Sequence, residues 1–183
     1  MLNFLNMENK KNKKYENKAS ATAALFCEAK VGNLVELQCA AGEYADLDAK
    51  DEDGNTAMHL SAQYGHLDCL EYLVMERADM YSQNKKGKVP LHKSARYGHL
   101  DCVKFLVEKG AHIDAEDYRG KTALMESAYG GHLDIVEYIV KKGANILNFD
   151  IHGKTALSMA EQEGHMDIVN YLKNIKKKLE KRG

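Results

Sequence analysis

The apolar positions of this chain fall into one recurring figure. Leu67, Leu70 and Leu73-Val74 return as Leu100, Val103 and Leu106-Val107, then as Leu133, Val136 and Ile139-Val140. Each set is spaced i, i+3 and i+6/i+7, which gathers its apolar side chains on one side of an amphipathic helix. A shorter helix precedes each one. It carries small residues at Ser61-Ala62, Ser94-Ala95 and Ser127-Ala128, so neighbouring helices can approach closely and curve the assembly toward that side. Two phases of glycine punctuate the polar stretches between these elements. Gly54, Gly87, Gly120 and Gly153 hold one phase, and Gly32, Gly65, Gly98, Gly131 and Gly164 hold the other, each 33 residues from the next. His66, His99, His132 and His165 follow glycines of the second phase, and two positions later stand Asp68, Asp101, Asp134 and Asp167. Self-similarity at this period signals a solenoid of stacked supersecondary units.

The register divides the chain into repeats at about 21–53, 54–86, 87–119, 120–152 and 153–175, preceded by an arm at 1–20 and followed by a basic tail or helix extension at 176–183. The first repeat is degenerate. Glu36 stands in the slot that becomes Cys69, Cys102, Ile135 and Ile168, as a terminal layer with less to bury requires. At the other end Glu161 replaces the alanine of Ala62, Ala95 and Ala128, and Lys173 replaces the valine of Val74, Val107 and Val140. Both put charge where a sixth layer would otherwise have to pack. Gly110 and Gly143 suit left-handed caps after the second helices, a slot held by Arg77 in the second repeat.

The openings Thr56-Ala57-Met58-His59, Val89-Pro90-Leu91-His92, Thr122-Ala123-Leu124-Met125 and Thr155-Ala156-Leu157-Ser158, with GGHLDIVEYIVKKGAN at 130–145, carry a family resemblance. Over about 21–175 the chain resembles ankyrin-repeat proteins, whose T-P-L-H opening is kept in both Pro and His only by the second of these copies. The resemblance implies an all-α fold: an ankyrin-repeat solenoid of helix-turn-helix units with β-hairpin loops in a right-handed, curved stack. It also implies that His59 and His92 tie adjacent repeats together, and that hairpin tips and first helices line one concave, protein-gripping surface.

Composition narrows the function. No apolar run reaches the roughly 18 residues that a membrane span needs, and MLNFLNM is too short for a signal sequence, so cytosol or nucleus is the expected location. Cys69 and Cys102 sit in one repeated slot one layer apart, Cys39 stands in the slot of Tyr72, Phe105, Tyr138 and Tyr171, and the four cysteines read as free thiols. The net charge of −1 is segregated: residues 1–20 carry +3 and 173–183 carry +5, leaving about −9 on the body. The arm at 1–20 reads as a mobile, solvating segment. Lys176-Lys177-Lys178 with Lys181-Arg182 reads as a charged helix end that stops stacking, with a nuclear import signal as the alternative.

Eight histidines and many aspartates invite a metal or catalytic reading, but the register argues against both. The G-H histidines come one per layer, and packed helices lie about 8–10 Å apart, while zinc needs its nitrogens at roughly 2.0–2.1 Å. They form a ladder, and are read as closing the turn between helices through bonds to nearby backbone. The stretch 46–53 (DLDAKDED) resembles a calcium loop only superficially, because aligning Gly54 with the loop glycine puts Ala49 and Leu60 at ligand positions. No phosphate loop, nucleophile elbow or CxxC appears. The reading is of no enzyme, no cofactor, no metal, no small-molecule substrate and a monomer.

In a solenoid, packing positions repeat and binding positions vary. The variable positions at tips and first-helix ends include Tyr64, Tyr97, Tyr118, Tyr129, Phe149 and Ile151, large side chains expected to be exposed. Around them lie Lys85, Lys86, Lys88, Arg96, Arg119, Lys121 and Lys154. Aromatic residues and arginine are enriched at binding hot spots. The body is acidic while this groove is basic, so the expected occupant is an acidic, partly apolar segment of another protein. Nucleic acid or an anionic surface held by the basic arms is the competing reading. It is disfavoured because the basic residues are split between opposite ends, and phosphate-dominated binding favours one continuous positive footprint.

Overall fold

The computed structural model describes Tyr15 and residues 17–42 and 45–181. Among these residues it contains ten helices and no strand. They alternate as first and second helices of five layers: α1 (Lys18–Val31) and α2 (Leu34–Ala40), α3 (Ala57–Tyr64) and α4 (Leu67–Met75), α5 (Pro90–Tyr97) and α6 (Leu100–Glu108), α7 (Ala123–Gly130) and α8 (Leu133–Lys141), α9 (Ala156–Glu163) and α10 (Met166–Glu180). First helices pack against first helices more closely than second against second. Fully buried Ala62, Ala95, Ala128 and Ala160 allow that approach.

Local sequence explains the boundaries. Thr56, Thr122 and Thr155 cap α3, α7 and α9 through side-chain oxygens that accept backbone N–H bonds, while Val89 cannot, and Pro90 opens α5 instead. In the first layer the corresponding slot is Ala23, which cannot cap either. The helix therefore runs back to Asn17, whose side chain accepts from the Ser20 N–H, so Lys18–Ser20 form the first turn of α1. At the far end α10 continues through the lysines to Glu180.

The second helices bury the centre of the stripe the pattern assigns to them: Leu70, Leu73, Val103, Leu106, Val136 and Ile139 are fully buried, while Leu67, Leu100, Leu133, Val74, Val107 and Val140 at its ends are partly buried. Cys69 and Cys102 are buried free thiols, pushed up to about 12 and about 11 by burial first and by nearby carboxylates second. Cys27 and Cys39 are also free, the former exposed. On the closing face, Glu161 and Lys173 are exposed and pair with each other at 2.8 Å.

The histidines hold layers together rather than closing turns within one. Each G-H histidine reaches back one layer to a carbonyl in the last turn of the preceding first helix: His66 to Lys30, His99 to Gln63, His132 to Arg96 and His165 to Tyr129, at 2.9–3.2 Å. Those carbonyls have no partner within their own helix. His59 and His92 reach forward, to the Lys88 and Lys121 carbonyls at 2.8 and 2.9 Å. A carbonyl only accepts, so Nε2 carries the proton in all six, and Nδ1 of His59 and His92 accepts the Thr56 and Val89 N–H.

The tips are turns with no strand among the described residues, each closed across itself by one backbone bond: Asp51 N to Asn55 O, Asn84 N to Lys88 O, Asp117 N to Lys121 O and Asp150 N to Lys154 O. Asp51, Asn84, Asp117 and Asp150 occupy one slot, and each takes two backbone N–H groups of its own tip on Oδ1. One backbone bond links each tip to the next: Lys85 N to Asp53 O, Tyr118 N to Lys86 O, and Ile151 N to Arg119 O, at 2.9–3.1 Å. A single rung per layer is too short a ladder to make a strand.

Candidate protein-binding surface

The rungs between tips determine which side chains meet. They hold the tips at 84–88 and 117–121 side by side, and a cavity of about 370 Å³ opens between them. Lys85, Lys86 and Lys88 from one tip and Tyr118, Arg119 and Lys121 from the other line it, with Asp117 and Glu126 below. A second cavity of about 260 Å³ continues along the first helices α5 and α7, where Lys93, Arg96, Tyr97 and Tyr129 join Lys86, Lys88 and Lys121. Nine of the thirteen candidate residues thus share one groove. Tyr64, Phe149, Ile151 and Lys154 do not line it. The first three are exposed elsewhere, Tyr64 against His66 with ring centroids 6.4 Å apart, and Lys154 donates to Gln162 at 2.6 Å.

Exposure within the groove is uneven. Tyr118 is 67% exposed because its backbone crosses Gly87 closely. Gly87 has φ 75°, and a Cβ there would stand 2.6 Å from the Tyr118 nitrogen and 2.7 Å from its Cγ. Only glycine lets that ring lie across the neighbouring tip. Tyr97 is exposed as expected, but Tyr129 is half-buried. Arg96 stacks on the Tyr129 ring, its guanidinium carbon 3.7 Å from the centroid, and Lys121 Nζ lies 5.5 Å from it. Tyr129 therefore forms the floor that positions two cations, and is not an open hot spot.

The residue that organises the groove was not among the candidates. Glu126 is 3% exposed, and its carboxylate takes Lys88 Nζ at 2.5 Å on one oxygen and faces Arg96 at 3.9 Å on the other. A buried carboxylate without such partners would be strongly unfavourable. Lys88 consequently has only 20% of its side chain exposed. The signal was present: the slot reads Leu60, Lys93, Glu126 and Met159, a break in register on the inner helices themselves. Lys93 is engaged too, donating to Gln63 at 2.9 Å, with its pKa lowered by burial first and then by Lys88 and Lys86. Asp117, also buried, faces Lys88 at 3.9 Å, so the groove is a crowded cationic field over two buried anions.

Elsewhere, the described residues contain no group of three or more His, Cys, Asp or Glu side chains placed to hold a metal ion, and no helix long and apolar enough to cross a membrane.

A comparison with protein families agrees with this architecture. A family model described as ankyrin repeats, three copies, matches in four overlapping windows, at residues 2–84, 21–117, 71–150 and 115–181. No curated protein gives a significant match. With layers, inter-layer histidines and family match all following one register, the chain belongs to the ankyrin-repeat family.

Proposed function

We propose that this ankyrin-repeat chain acts through its groove, as an adaptor, scaffold or inhibitor that takes an acidic, partly apolar segment of another protein. Ankyrin repeats are generally protein–protein interaction modules and typically non-catalytic. The observation that carries the finer reading is the convergence of two neighbouring tips on one cavity, with Lys85, Lys86, Arg119 and Lys121 on its rim and Tyr118 as an exposed apolar wall. Charge on the rim steers an acidic partner, while the aromatic area supplies contact energy.

Selection from a displayed random-peptide library tests this for a partner of any identity. The enriched sequences are expected to be acidic with apolar residues between the charges, and to weaken as salt rises. Replacing Lys85, Lys86 and Arg119 by Glu should abolish their capture with the helical circular dichroism intact. Equal capture by the triple variant removes the groove from consideration. Preferential retention of DNA, RNA or anionic vesicles at physiological salt would favour the basic termini instead.

A further inference from the structure

The cations of the groove divide into two sets. Lys88 and Arg96 are committed to Glu126, and Lys93 to Gln63. Lys85, Lys86, Arg119 and Lys121 make no ion pair among the described residues, yet all four line the cavity of about 370 Å³. That volume lies in the range of small-ligand pockets, roughly 300–1,000 Å³. The lining carries five cations against two carboxylates, Asp117 and Glu126, both of which Lys88 faces, so a surplus of three positive charges remains. One carboxylate answers only one of them.

The chemistry of the donors narrows the choice further. Backbone N–H groups are not available as an anion cradle, because those of Lys86 and Lys88 are taken by Asn84 Oδ1 and those of Arg119 and Lys121 by Asp117 Oδ1. An anion here is held by side chains alone, three ammonium groups and one planar guanidinium. A phosphate monoester fits that set: it carries about −1.5 to −2 charge at neutral pH and three acceptor oxygens, and it matches the forked geometry of arginine. The Tyr118 ring beside the cavity offers a flat wall for the residue that bears it.

We propose that the cavity between the tips at 84–88 and 117–121 seats the phosphate monoester of a phosphorylated serine, threonine or tyrosine in the partner segment, an assignment that rests on the groove reading above. Phosphorylation of the partner then switches its capture. Glu126 tunes the site from below by holding Lys88 away from the anion.

Three degenerate nonapeptide libraries test the assignment on the full chain. They are acidic and leucine-containing and differ only in a fixed central phosphoserine, serine or glutamate; phenyl phosphate serves as a free monoester. The phosphoserine library is expected to bind at least about tenfold tighter than the other two. Lys86→Gln with Arg119→Gln should erase that preference, the phosphoserine library losing about tenfold more affinity than the serine library. Glu126→Gln, which releases Lys88, should strengthen the preference, with circular dichroism confirming the fold. If phosphoserine and glutamate libraries bind alike, the phosphate seat is wrong and the groove reading stands. If phenyl phosphate alone binds, shifting the amide resonances of residues 85–88, the ligand is a small phosphorylated molecule and the partner-borne phosphate is overturned. If no probe binds, both readings fall together.

Discussion

Gly98 and Gly164 share one backbone conformation, with φ of 81° and 78°, but only Gly98 has a layer stacked behind it. A Cβ at Gly98 would stand 2.5 Å from His132 Cε1 and 2.7 Å from its Nδ1, whereas at Gly164 nothing lies within 4 Å. Gly98→Ala therefore combines two penalties. The left-handed backbone costs an alanine about 1–2 kcal/mol, offset by about 0.4–1 kcal/mol from the stiffer unfolded chain. The displaced ring also loses its bond to the Arg96 carbonyl, now 3.1 Å long, and leaving that group unsatisfied costs about 1–3 kcal/mol. The expected total is about 2–4 kcal/mol, against about 1 kcal/mol for Gly164→Ala, where the backbone penalty acts alone. Urea unfolding followed by far-UV circular dichroism measures both. Adding His132→Ala to Gly98→Ala should cost less than the two single losses combined, because the ring that clashes is gone. Equal destabilisation at Gly98 and Gly164 would refute the idea that each G-H glycine exists to seat the next layer's histidine.

Two further outcomes follow from the same geometry. Burial, as the largest cause, lowers His59 to about 4 and also lowers His92, so folding favours their neutral forms. The unfolded chain binds the extra protons below its histidine pKa of about 6.5, so the stabilisation is complete above that value and is lost as pH falls toward 4; for His59 alone the full loss is about 3 kcal/mol. Urea midpoints measured across that window should drop with acidity, and His59→Leu should flatten the drop. Arg77 adopts φ 64° in the slot where Gly110 and Gly143 have 96° and 97°. Arg77→Gly should relieve left-handed strain and raise the unfolding free energy by up to about 1 kcal/mol, the gain being reduced by glycine's greater unfolded-state freedom.

The 33-residue recurrence was enough to predict five layers, both helix rows, their buried stripe and the charged closing face. Each of these depends on which residues share one side of a helix, and a local period reports that directly. Glycine caps and the buried thiols of Cys69 and Cys102 were legible for the same reason, since a repeated slot has a repeated environment. The function of the histidines was half legible: their regular spacing excluded a ligand set, but not the difference between closing a turn and bridging two layers.

What the tertiary structure decided are relations between layers. Tyr129 stands in the half-buried slot of Gln63 and Arg96, one residue before the exposed slot of Tyr64 and Tyr97, but only the stacking shows that Arg96 from the layer before folds over its ring. Lys88 is one of five lysines lining the groove until Glu126, 38 residues away, claims it. The rungs that draw two tips around one cavity are backbone bonds, and no side-chain pattern announces them. Periodicity states which way a residue points within its own layer. Only the stacking of the layers brings a residue against one in the next, and the charge of this groove is the sum of those meetings.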